Sequence, residues 1–394
     1  MPEPRRSPGL AHALEHELLL ASSTSRITPA RTEQIAALAR QRPDWRVIRG
    51  RAWDHGVVPL VYRQLAATPE DAVPEEVLAE LAATATAIGA TNLRLAAALL
   101  ELLDALEQAG VRTIAYKGPT LAMRAYGNLS LRHYNDLDVL IRRRDIRAAT
   151  RALEAAGFRL HDPVGRSAEE AALRWGHHFA FLREQDTLLE VHWRFHKPLF
   201  GSPLPEDEIW RKSGETRVAG RAVRTLDPVH ELLVLATHGS WHGWSQLSWV
   251  CDVAEFLRAT PGLDPSDAME AARRHGYVRP LLLAFHLANR FLHAELPGYV
   301  QTAIARERAV TDAGAVIERR VRAGSAPDYE SARLQLALRE RVRDKAAFAL
   351  RAIFQPNPAD LRAARLPAPL FPLYYVLRPL RMALKYGPRP TGAG

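Results

Sequence analysis

Two aspartates one residue apart, Asp136 and Asp138, head the apolar run "DLDVLI" directly after the basic, aromatic loop "LSLRHYN". In a β-strand, side chains alternate between faces, so this pair shares one face while Leu137 and Val139 take the other. A strand built only for burial does not carry two such groups. Neighbouring carboxylates repel, and desolvation raises their pKa values. A divalent cation removes both penalties and takes hard oxygen ligands, so the spacing fits a Mg2+ site on a rigid strand. Glu190, between apolar residues in "LLEVHW", is the expected third acid, and three carboxylates can hold two ions. The bland alternative is that Asp136 caps the strand and Asp138 pairs with Arg132 or Arg142. Three neighbouring features weigh against it. "YKGP" sets a glycine turn between a short strand and a helix N-terminus, where backbone N–H groups receive phosphate. The two aspartates fall on the next strand, and the third acid on a later one.

The rest of the chain frames this unit with helices. Residues 9 to 110 show apolar positions three and four apart, as in "LAHALEHELLLASS" and a long stretch ending at Gly110, a residue suited to a helix C-cap. From "VRTIAY" to "EVHW" the texture reads β-α-β-α-β-β, with "EQD" as a hairpin between "HHFAFLR" and "TLLEVHW". At "DPVHE", an N-cap Asp and a first-turn Pro open a second helical region that continues to about residue 353. The expected class is therefore α+β: a small mixed sheet flanked by N- and C-terminal helical regions. Its parts are 1–110 (helical), 111–226 (α/β core), 227–353 (helical) and 354–394 (a Pro-rich basic tail). A chain of 394 residues exceeds one compact core, in keeping with such a division.

Charge and cysteine content narrow the function. Of the net charge of +9, residues 341–394 contribute ten cations against two acids, so the remainder is close to neutral. This gives no strong nucleic-acid signal but marks the tail as a contact for an acidic partner or a membrane surface. The tail's prolines argue against one continuous amphipathic helix. A single cysteine, Cys251, rules out an intramolecular disulfide and an all-cysteine zinc site. The N-terminus lacks the apolar core of a signal peptide, and no stretch reads as a membrane span, so a cytoplasmic location is expected.

The segment "IAYKGPTLAMRAYGNLSLRHYNDLDVLI", followed by a helix and "LLEVHW", resembles the uncharacterised nucleotidyltransferase family of the polymerase-β-like superfamily. "WDHGVVPLVYRQL" and "LATHGSWHGWSQLSWVCDVAEFL" are similar to that family's flanking helices, so the resemblance spans roughly residues 45–260. It implies metal-dependent transfer of a nucleoside monophosphate from an NTP, with ATP expected, to an acceptor it does not identify. Carried over, Asp136, Asp138 and Glu190 are the catalytic acids and the ligands of Mg2+ (or Mn2+), and Gly118 is the glycine of the phosphate turn. The wider superfamily has Gly-Ser in that turn, whereas this chain has Gly118-Pro119. The phosphate contact therefore falls to Lys117, Thr120 or backbone amides, with Arg132 as a further cation. A rival reading, a non-catalytic scaffold for a peptide or biosynthetic partner, draws on the missing serine.

Other residues carry weaker signals. His192 shares Glu190's face by alternation and suits an acid/base or orienting role. Further histidines gather at 177, 178 and 196. His238 and His242 are four apart, but "HGSWH" lacks the glutamate of a zinc-protease helix. A structural role is expected for His238. Trp241, Trp244 and Trp249 read as core, or as the wall of an acceptor pocket. Tyr134 reads as packing.

Overall fold

The structure, a computed structural model, describes residues 12–161, 173, 176–183, 187–195, 204–323, 332–354, 370 and 373–386. The "EQD" turn, His196 and most of the tail fall outside these residues. Five helices come first: α1 (Ala13–Ser22), α2 (Pro29–Ala39), α3 (Trp45–Asp54), α4 (Val58–Leu65) and α5 (Glu75–Gln108). Capping sets two of their starts. The Thr28 hydroxyl accepts from the Arg31 N–H, and the Asp44 carboxylate accepts from the N–H groups of Arg46 and Val47. Among the described residues, α5 has the length and apolar character to cross a membrane, which corrects the expectation that no stretch does. Its Leu95, Leu99, Leu102 and Leu106 are spent on the core beneath the sheet.

The central unit follows as β1 (Thr113–Tyr116), α6 (Gly118–Tyr126), β2 (Asp136–Ile141), α7 (Ile146–Ala155), β3 (Arg159–Leu160), β4 (His178–Arg183) and β5 (Thr187–His192). The sheet order is β1-β2-β5-β4-β3, with β2 and β5 parallel and the other pairs antiparallel, which makes the sheet mixed. Alternation sorts its side chains cleanly. Ala115, Leu137, Val139, Ile141, Leu189 and Val191 face α5 and α7 in one apolar cluster. Ile114, Tyr116 and Leu140 face the other way and join a larger cluster built mainly of helices. Asp136, Asp138, Glu190 and His192 belong by period to this second face.

After α8 (Glu206–Lys212), a separate hairpin of β6 (Gly214–Val218) and β7 (Arg221–Thr225) turns through Ala219 and Gly220. Both turn residues have positive φ, 47° and 84°, as the commonest two-residue hairpins require. The second helical region then runs α9 (Pro228–Trp241), α10 (Leu247–Ala259), α11 (Pro265–His275), α12 (Val278–Leu292), α13 (Gly298–Arg306) and α14 (Arg308–Ala323). Shorter pieces close the chain: α15 (Ala332–Ala337), α16 (Val342–Phe354) and α17 (Tyr374–Tyr386). The last of these carries Pro379 in its interior. α17 packs on α16, and Tyr374 is buried.

Candidate active site

Two consecutive left-handed residues begin the site. Lys117 has φ 55° and ψ −148°, and Gly118 has φ 39°. A non-glycine residue in that region is strained, and such strain gathers at ligand sites. The kink sends the chain from the end of β1 into α6 and lays Gly118 against β2. A Cβ added at Gly118 would meet the Asp136 carbonyl oxygen at 3.4 Å. On the neighbouring strands, Asp138 is register partner both to Tyr116 of β1 and to Glu190 of β5. The turn, the aspartate pair and the third acid therefore meet across three adjacent strands, although residues 117 to 190 separate them in sequence.

The side chains are tightly engaged. Asp138, 3% exposed, has its Oδ1 2.9 Å from His192 Nε2 and 3.3 Å from Lys117 Nζ. His192 Nε2 also lies 3.1 Å from Glu190 Oε2. Asp138 thus pairs with Lys117 and His192 rather than with Arg132 or Arg142. Tyr116 lines the site from β1, with its ring centroid 5.5 Å from that of His192. Ligand atoms of Asp138, Glu190 and His192 lie within 4.8 Å of one another, and Asp136 does not join that group. Of the three acids, Asp138 and Glu190 are bridged by an imidazole. His192 Nε2 takes the space between the acids, and Lys117 draws on Asp138.

The electrostatics follow. Burial, then the Asp138 charge, push the Asp136 carboxyl up to about 6, against the pull of Lys117. Burial also works to raise Asp138, but Lys117 and the His192 hydrogen bond outweigh it and hold Asp138 well below the usual carboxylate range. Burial acts on Glu190 in the same sense and is outweighed by its hydrogen bond to His192, leaving its pKa lowered. His192 is raised, since its bonds to both acids overcome burial. The donor set of Asp138, Glu190 and His192 fits a divalent cation, and Asp136 flanks it on the same face of β2, destabilised as an anion by its neighbour.

The remaining candidates are placed differently. Arg132 is committed elsewhere: its Nε and Nη2 donate to Asp252 Oδ1 and Oδ2, each at 2.9 Å, and Tyr126 donates to the same Oδ1 at 2.9 Å. The bidentate geometry of guanidinium and carboxylate explains this. Arg132 therefore ties the loop before β2 to α10 and does not serve as the phosphate cation expected of it. Nearby, Arg124 of α6 pairs with the buried Glu231 of α9 and donates to the Leu226 carbonyl at 2.8 Å. The Thr120 hydroxyl donates to the Lys117 carbonyl at 2.7 Å inside the first turn of α6, so it closes the turn instead of facing a phosphate. Trp244 is fully buried core, while Trp249 packs at 5.3 Å from both His238 and His242. Burial, then Lys117 and His242, hold His238 well below its ordinary pKa.

Asp252 and Glu231 are residues that sequence reasoning missed. Both are acids on otherwise apolar helix faces, and a buried acid needs a partner, which was the available signal. A cavity of about 610 Å³ lies apart from the acids, between α5, β3 and β4, and is lined by Arg94, Phe158, Arg159 and Arg183.

A glycine turn thus opens onto a strand-borne acid pair, with a third acid on the adjoining parallel strand. The family model described as uncharacterised nucleotidyltransferase matches residues 41–293, and the chain belongs to that family. Membership supports a role in nucleotidyl transfer. No curated protein matches the chain. Among solved structures, the solution structure of the antibiotic-resistance factor ANT(2'')-Ia is similar at 13% identity, covering 46% of this chain and 91% of that one, with a TM-score of 0.34.

Proposed function

We propose that this chain transfers a nucleoside monophosphate from an NTP, ATP being the expected donor, to a small-molecule, peptide or protein acceptor. Asp136, Asp138 and Glu190 would hold Mg2+ or Mn2+. The observation that carries the reading is the direct register of Asp138 with Glu190 across parallel strands, beside the left-handed Lys117–Gly118 turn. When bound, a divalent cation supplies Lewis-acid stabilisation of phosphate charge. Lys117, at the head of α6, adds a point charge for the departing phosphates, and the α6 N-terminus adds its dipole. His192 holds Asp138 and Glu190 in fixed relative orientation. Arg132 and Thr120 act by positioning, one fixing the loop into β2 and the other closing the turn. The acceptor oxygen or nitrogen attacks the α-phosphorus and gives up its proton to solvent, and pyrophosphate leaves with the bonding electrons.

Calorimetric titration with ATP in Mg2+, in Mn2+ and in EDTA tests the reading, which requires binding in the first two only. Intact-mass analysis after incubation with ATP then reports transfer to the protein itself. A scaffold without turnover is the second reading. It is favoured by one observation, the occupied Thr120 hydroxyl behind Pro119, which leaves the turn no side-chain hydroxyl for phosphate. Metal-dependent ATP binding with no transfer to any acceptor offered would support it.

A further inference from the structure

We propose that His177, His178 and His192 form a second metal site, for a first-row transition ion such as Zn2+, where β4 and β5 meet beside the acids. One ring nitrogen from each of the three lies within 4.8 Å of the other two. His177 Nε2 and His178 Nδ1 are 3.0 Å apart. That is about the separation of two adjacent ligands on one ion at metal–nitrogen bonds of about 2.0–2.1 Å.

The backbone preorganises the group. His178 and His192 are register partners on antiparallel strands, and the His177 carbonyl accepts from the N–H groups of Trp193 at 2.9 Å and Arg194 at 3.3 Å. All three rings are thus tied to one end of one ladder. His192 supplies an independent sign. It is 2% exposed, and its Nδ1 has no hydrogen-bond partner among the described residues. Its Nε2 meanwhile sits 2.9 Å from Asp138 and 3.1 Å from Glu190. An imidazole that ligates a metal through one nitrogen and donates the other N–H to a carboxylate has this arrangement. Glu190 Oε1 also lies 3.6 Å from His178 Nε2, so the same carboxylate stands beside two of the rings.

The donor chemistry separates this site from the acidic one. Imidazole nitrogens favour Zn2+, Co2+, Ni2+ or Cu2+, whereas carboxylates and carbonyls suit Mg2+. A bound ion would fasten the first residue of β4 to the last of β5 and fix the His192 ring that orients Asp138 and Glu190. The site does not rest on nucleotidyl transfer, because the rings would hold an ion whether or not a nucleotide turns over.

Full-length protein stripped with a chelator and titrated with Co2+ in excess Mg2+ tests the proposal through the visible d–d absorption of nitrogen-bound Co2+. Expected are a saturating absorption in the wild type, its displacement by Zn2+, its loss in His177→Ala and in His178→Ala, and its retention in Asp136→Asn. Absence of the absorption in the wild type overturns the proposal. So does an absorption kept in both histidine variants and lost in Asp136→Asn, which would place the ion on the acids. His177→Gln and His178→Gln keep side-chain bulk and guard against misfolding: absorption lost in these variants with an unchanged melt supports the site, and absorption kept refutes it. Mg2+-dependent ATP binding by the same proteins is scored separately, so failure of the transferase reading is not mistaken for failure of this one.

Discussion

Removing the Asp252 carboxylate should unfold the protein at a distinctly lower temperature, because that group neutralises a cation with little access to water. The Arg132 side chain is 10% exposed and that of Asp252 2%, and two hydrogen bonds of 2.9 Å join them. Asp252→Ala leaves the guanidinium buried without its partner and orphans the Tyr126 hydroxyl. Breaking one side of such a buried pair costs about 3–5 kcal/mol. The nearby Glu231 and Asp136 charges offset part of this, which favours the lower end. With an unfolding entropy of about 2.1 cal/mol/K per residue over 394 residues, each kcal/mol moves the melt by about 1.2 °C, so the melting temperature should fall by roughly 4–6 °C. Because Arg132 lies just upstream of Asp136, Mg2+-dependent ATP binding should weaken as well. Replacing both partners, Arg132→Met with Asp252→Leu, should recover much of the loss, since no uncompensated charge then remains. Differential scanning calorimetry with a double-mutant cycle reads all of this. An Asp252→Ala melt within a degree of wild type, together with weaker ATP binding in Arg132→Met, would instead assign Arg132 to the phosphate site.

Three further outcomes follow from the structure. Gly118→Val forces a β-branched residue to φ 39° against the Asp136 carbonyl, a strain of about 1–2 kcal/mol; calorimetry should show weaker nucleotide binding by a protein that still folds, and unchanged affinity would remove the turn from the site. In EDTA, the Asp136 carboxyl is raised from its ordinary 3.8 to about 6, so its contribution is fully present below pH 4 and is lost as pH rises through 6, a difference of about 3 kcal/mol. Asp136→Asn should therefore melt higher than wild type at pH 7 and lose that advantage near pH 4, whereas a variant less stable at pH 7 would contradict the assignment. Finally, Leu350, Phe354, Val376 and Leu380 are exposed beside the tail's cations. The protein should sediment with phosphatidylserine vesicles but not with phosphatidylcholine ones, and lose this with added salt or with truncation at Gln355. A truncated form that melts many degrees lower would show the tail to be structural instead.

What could be read in advance was local. The aspartate pair, the "YKGP" turn and "LLEVHW" each announce themselves through a residue that breaks its surroundings, and each lies on the element its period implied. Alternation alone placed Glu190 and His192 on one face of β5. Pairings across long sequence separations were not legible. That β5 runs parallel to β2 with Glu190 opposite Asp138 depends on the course of the chain between them. That Arg132 meets Asp252, 120 residues on, depends on how α10 packs against α6. The positive φ of Lys117 was hidden because lysine gives no sign of it. The β6–β7 hairpin gives little sign of itself although "VAGR" carries a glycine at the turn, since charged residues interrupt both strands. Within the tail, the interior Pro379 is tolerated in α17, which packs on α16.

In the proposed mechanism, the strand-borne acids hold a cation for a nucleotide. The most direct test is calorimetric titration of the full chain with ATP in Mg2+ and in EDTA, run in parallel on Asp138→Asn. Expected are saturable binding by the wild type in Mg2+, none in EDTA, and none by the variant in either. Equal ATP affinity with and without Mg2+, or wild-type affinity in the folded Asp138→Asn protein, would contradict it.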